Sequence, residues 1–182
     1  AAKSGNMQVV TPMLEHYIDL NVATADGENA LLFAEESGNK EMIQALLLAK
    51  ANPNCLHAGM TPLMRAAHLC DLEATRVLME ARADPNMANE QGETALILAA
   101  GGTSPDLVRE LLAAKANPKA ASFGRTPLVV AEEGNNEEIL AMLTEAEVAT
   151  WTRIERRAYN VTRGLTRFGT DMLGPRDGTG SM

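Results

Sequence analysis

Apolar positions along this 182-residue chain follow a long period as well as a short one. Counted from Gly59 in the stretch Gly59-Met60-Thr61-Pro62-Leu63, an apolar residue follows at four, Ala at seven, an acidic residue at fourteen and Leu at nineteen; Ala83-Asp84-Pro85-Asn86 begins at twenty-four. The same offsets fit Gly27, Gly92 and Gly124, which stand 32, 33 and 32 residues apart in sequence order. A fixed period in this range means that one supersecondary unit has been copied. Inside each unit the short period is helical: Met42, Ile43, Leu46 and Leu47 fall on one helix face. A short helix is predicted to open at Asn29, Thr61, Thr94 and Thr126, and a break falls at Gly38-Asn39, Gly101-Gly102 and Gly134-Asn135-Asn136. A second helix then runs to a Leu pair, and a turn such as Lys50-Ala51-Asn52-Pro53-Asn54 closes the unit.

The two ends depart from this pattern. Residues 1–24 read as the back half of a unit, because Val10, Met13, Leu14 and Asn21 fall in register with Ile43, Leu46, Leu47 and Asn54. A front half is therefore expected before them. After Ala146 no closing loop follows, so the array is expected to stop near residue 147. Thr144 with Glu147 then reads as a capping box opening a new helix. Over 148–168, Val148, Trp151, Ile154, Ala158 and Val161 make an apolar face, and Arg153, Arg156, Arg157 and Arg163 lie off it. Residues 169–182 are rich in Gly and cannot build a core, so their composition predicts disorder, and order as an extended tail there would need a partner surface or larger assembly to hold it.

Composition narrows the function. Aromatic residues make up 3% of the chain, so Ala, Leu, Met, Ile and Val must fill the core, which suits helices packed closely together. The net charge of −8 disfavours nucleic-acid binding, since phosphates would be repelled. That charge is divided unevenly, with net −11 over residues 1–150 and +3 from Trp151 onward. Two cysteines, Cys55 and Cys70, give no disulfide framework and are expected as reduced, largely buried thiols.

No phosphate loop, zinc-protease, nucleophile-elbow or paired-cysteine motif is present. The carboxylate pairs Glu35-Glu36, Glu132-Glu133 and Glu137-Glu138 read as solvated helix faces, without a pocket to shift their titration. Cys55, His57, His68 and Cys70 are of types that zinc accepts, yet His57 and His68 would be separated by a two-turn helix of roughly 10 Å. Zinc needs its ligands within about 2.3 Å of one point, so neither metal nor cofactor is expected. Neither is a catalytic residue.

Thr-Pro-Leu, a small Ala pair, the Gly-Asn turn, Leu-Leu and Ala-Asp-Pro-Asn, at these offsets over residues 1–147, resemble the ankyrin repeat. The resemblance implies an all-α solenoid of helix pairs joined by β-hairpin loops, four copies plus a partial one, with repeats starting near Ala25, His57, Glu90 and Ser122. One departure stands out. The family's His after Thr-Pro-Leu is Leu32, Met64, Ile97 and Val129 here, so packing must replace its hydrogen bonds. The resemblance also implies a concave binding side formed by hairpin residues and first-helix ends. In this chain those positions include His57, Met60, His68, Leu69, Gln91, Phe123 and Arg125, among acidic neighbours at Glu28, Glu36, Glu90, Glu93 and Glu133. Met60, Leu69 and Phe123 are apolar where solvent-facing residues are expected to be polar, the composition of an interface centre with an acidic rim.

A non-catalytic module binding a protein partner is the expected function, in a reducing compartment and with no small-molecule substrate. The C-terminal residues Trp151, Arg153, Arg156, Arg157, Tyr159, Arg163 and Phe168 are expected to anchor the tail, either by capping the array, by docking on a partner or by contacting a membrane surface. The alternative expectation is a structural accessory subunit of a large, membrane-embedded complex. The style of the repeats is similar to that of algal ankyrin proteins, which implies an organellar, chloroplast membrane for that alternative.

Overall fold

The computed structural model describes residues 6–14, 16, 18–24 and 28–150, and the tail residues Trp151 to Phe168 named above lie outside them. The chain divides into two compact units, Ala1–Thr144 and Glu145–Met182. Among the described residues the elements are α1 (Met7–Leu14), α2 (Ala30–Glu36), α3 (Lys40–Leu48), α4 (Pro62–His68), α5 (Leu72–Glu80), α6 (Ala95–Ala100), α7 (Pro105–Ala113), α8 (Pro127–Glu133) and α9 (Glu137–Thr150). They form two layers. The inner helices pack in succession, α2 on α4, α4 on α6 and α6 on α8, and the outer helices do the same from α1 to α3, α5 and α7.

The helices start where the sequence supplies a cap. Asn29, Thr61, Thr94 and Thr126 each accept the N–H three residues on, and Asn39, Asp71, Ser104 and Asn136 do so for the outer helices. Each such cap is worth about 1 kcal/mol. Pro62, Pro105 and Pro127 stand in first turns, where the missing N–H has no helical partner to lose. The outer helices end at a left-handed residue, Lys50, Arg82 or Lys115, at φ 64 to 67°.

Between the layers Leu31, Met42, Leu46, Leu63, Leu78, Leu96, Leu107 and Leu111 are fully buried. Ala34, Ala66, Ala67, Ala99, Ala100 and Ala131 are buried too, and their small side chains let the inner helices come close. At the family's His position Met64 retains one hydrogen bond: its sulfur accepts the Thr61 N–H at 3.5 Å. Leu32 and Ile97 occupy that position as buried hydrocarbon alone.

The closing turns join one repeat to the next. Asn21 Oδ1 accepts the Asn52 N–H, Asn54 Oδ1 the Asp84 N–H and Asn86 Oδ1 the Asn117 N–H, at 2.7 to 2.8 Å. The rung contributed by Asn21 places residues 18–24 in the register read from the sequence. Lys119 occupies the next position, and among the described residues no further closing turn follows it. One expectation is corrected here. Thr144 opens no new helix: α9 is continuous to Thr150, and the Thr144 hydroxyl donates to the Leu140 carbonyl one turn back. Nothing at residues 144–147 interrupts the helix, since none is Gly or Pro.

Candidate protein-interaction face

The expected contact residues stand on hairpin tips and at inner-helix ends. At the second hairpin His57 and Met60 exchange both backbone hydrogen bonds at 2.9 Å, across Ala58 and Gly59. Ser122 and Arg125 do the same across Phe123 and Gly124. All four central residues have positive φ, as a type I′ turn requires. Glycine adopts this freely, but Phe123, at φ 49°, does so against a cost of roughly 1 kcal/mol. Its ring is nevertheless 87% exposed. Leu69, the C-cap of α4, is 66% exposed.

The other expected residues take different parts. Met60 is half-buried and packs against the core, so its role is divided between contact and stability. His57 is half-buried; His68 and Gln91 are exposed. The Gln91 carbonyl accepts the buried Ser122 hydroxyl at 2.7 Å, which ties the fourth hairpin to the third. Gln91 also lies over Gly59 of the second hairpin. Arg125 is engaged by Glu133, an ion pair between a hairpin and the end of α8.

Glu35 overturns the solvated-face reading. Its side chain is 7% exposed, and neither carboxylate oxygen has a hydrogen-bond partner. The repeat register shows why: Glu35 occupies the position of Ala67 and Ala100, which are buried between inner helices. Its ion-pair partner among the described residues is Arg65 of α4, with Nε 3.6 Å from Oε2. Burial pushes the Glu35 carboxyl up to about 7, Arg65 opposes that rise, and Glu36 adds to it. A cavity of about 30 Å3 adjoins the pair, lined also by Lys40, Asp71 and Leu69.

Both cysteines are free and half-buried. Burial raises the Cys55 thiol, which keeps it protonated and unreactive. Among the described residues no group of three or more His, Cys, Asp and Glu side chains could hold a metal ion, and no helix is long and apolar enough to cross a membrane. Sequence reasoning passed over Leu48, 84% exposed at the end of α3, where it borders an open groove of about 430 Å3 with Leu47, Val77 and Ala81. Its signal was available. The equivalent positions are Glu80, Ala113 and Glu145, so a leucine there is out of character for the register.

Paired short helices at a period near 33, capped alike and joined by hairpins, define a helical repeat solenoid. The family model for ankyrin repeats (3 copies) matches residues 1–89 and 63–152, and the chain belongs to the ankyrin-repeat family. It is 33% identical over 116 residues to an ankyrin repeat-containing protein of Treponema pallidum (strain Nichols), covering 63% of this chain and 39% of that one. It is 32% identical over 153 residues to the mitochondrial disaggregase of Bos taurus, covering 81% and 22%. An L-asparaginase of Dirofilaria immitis is 32% identical over 143 residues, covering 77% and 24%. The chain thus spans well under half the length of these relatives. Ankyrin repeats generally mediate protein–protein interaction, and the family is generally non-catalytic.

Proposed function

We propose that this chain is a non-catalytic interaction module that binds a protein partner through its hairpin tips and inner-helix ends, centred on Leu69 and Phe123. The observation that carries this is Phe123 itself. A large apolar ring held at positive φ on an exposed hairpin tip costs the fold conformational energy and buries little area in return, which is the mark of a contact residue. Leu69→Asp with Phe123→Asp is expected to lower partner affinity at least tenfold with the helical circular dichroism unchanged; retained affinity would sink the reading. Phe123→Gly separates the two roles of the residue. It should raise the stability of the array by about 1 kcal/mol in urea unfolding, because the positive φ then costs nothing, and still weaken binding. The reading includes a reducing compartment, which two free thiols support.

A second reading, an accessory subunit of a larger assembly at an organellar membrane, is favoured by the sequence beyond Trp151, whose net charge of +3 opposes the acidic remainder. Deleting Tyr159 to Met182 discriminates between the two. An accessory subunit should be lost from its complex, whereas a module bound through the inner face should keep its partner.

A further inference from the structure

Ion pairs tie neighbouring repeats together on both faces of the array. On the outer helices arginines bridge successive repeats: Arg76 Nε lies 2.9 Å from Glu110, and Arg109 lies 3.6 Å from Glu138. Among the described residues the cations outside ion pairs are Lys50, Arg82 and Lys115, just after the outer helices whose carbonyl ends favour positive charge, and Lys119 in the last closing turn. The inner face has no such free arginine or lysine among the described residues. Its two arginines are both engaged by carboxylates of the face, Arg65 by Glu35 and Arg125 by Glu133. Glu28, Glu36 and Glu90, by contrast, have no ion pair among the described residues. They stand at hairpin and inner-helix positions, as the exposed Leu69 and Phe123 do. Unneutralised like charge on one face raises self-repulsion in the free protein, and an oppositely charged partner relieves it.

Resting on the reading of the inner face as the binding site, we infer that the partner segment is basic, with Lys or Arg interleaved among large apolar side chains. The apolar side chains meet Leu69 and Phe123, and the cations meet Glu28, Glu36 and Glu90. Glu41 and Glu80 of the outer helices also have no ion pair among the described residues, but the exposed aromatic among those residues, Phe123, stands at a hairpin tip. The negative face speeds encounter and rejects acidic segments, and the apolar contacts hold the bound state.

The test is a selection of phage-displayed random peptides on the immobilised full-length protein, followed by titration of the leading synthetic peptide. The expected peptides carry Lys or Arg between aromatic or aliphatic residues. Glu28→Gln with Glu36→Gln and Glu90→Gln should weaken the leading peptide about fivefold to tenfold, the reach of three exposed ion pairs. The same weakening should follow a rise in salt that screens those pairs. Leu69→Asp with Phe123→Asp should abolish binding, with thermal unfolding of each variant confirming that it is folded. Neutral or acidic peptides, or a triple Gln variant that binds as wild type while Leu69→Asp with Phe123→Asp does not, would overturn the charge assignment and leave the interaction face standing. A selection yielding only peptides that neither set of changes weakens would overturn both. Self-association of the chain, abolished by the same triple change, would make the occupant a second copy and also overturn the assignment.

Discussion

Leu96→Ala is expected to cost about 3–5 kcal/mol of unfolding free energy, the range for truncating a fully buried leucine whose cavity cannot collapse. Leu96 lies in α6, which packs on α4, α7 and α8, so its side chain serves repeats on both sides. In a linear array, stability is a sum of repeat and neighbour terms, and damage to a shared central interface weakens coupling as well as the repeat itself. Urea unfolding followed by far-ultraviolet circular dichroism should show a lower midpoint and a broadened or divided transition. Leu69→Ala, at an exposed position, should shift the midpoint by less than about 0.5 kcal/mol. Equal costs for the two changes would contradict the burial pattern.

Glu35→Gln is expected to stabilise the protein at pH 8 and to leave it nearly unchanged at pH 5. The carboxyl has an ordinary value of 4.5 and is raised to about 7 in the folded chain, chiefly by burial. Between those values the folded state therefore binds more protons than the unfolded one, and stability falls as pH rises. The loss across this window is of the order of 3 kcal/mol. Gln keeps the shape and carries no charge, so the variant should lack the decline. Arg65→Met should steepen it, because Arg65 is the cation that holds the ionised form in place. Unfolding curves at pH 5, 6, 7 and 8 decide the matter, and parallel profiles for wild type and Glu35→Gln would refute the burial of an ionisable Glu35.

The repeat and its register were legible in the sequence because each unit writes the same physical requirements in the same places. Thr61, Thr94 and Thr126 cap, Pro62 and Pro127 start helices, and Asn21, Asn54 and Asn86 reach the next closing turn. The exposure of Leu69 and Phe123 followed from the same register. Glu35 was misread because its residue type was weighed against its adjacent glutamate rather than against Ala67 and Ala100, its equivalents in the next two repeats. Register outranks charge here: the neighbouring inner helix closes over that position whatever it carries. The Thr144 error is of another kind. A capping box is a local pattern, and a helix already in progress with no breaker simply runs through it. The strain at Phe123 had a visible sign in the Phe-Gly pair of a two-residue hairpin, where Asn-Gly would be the unstrained choice. Which sequence positions must carry positive φ, however, became plain only with the backbone.

Which face meets the partner is answered most directly by photocrosslinking. Benzoylphenylalanine placed singly at Leu69, Phe123 and Leu48 of the full-length chain, followed by irradiation in extracts of the native source and mass spectrometry, should join one and the same polypeptide to positions 69 and 123 but not to 48. That polypeptide joined from Leu48 alone, with nothing from Leu69 or Phe123, would place the partner on the outer helices and contradict the account.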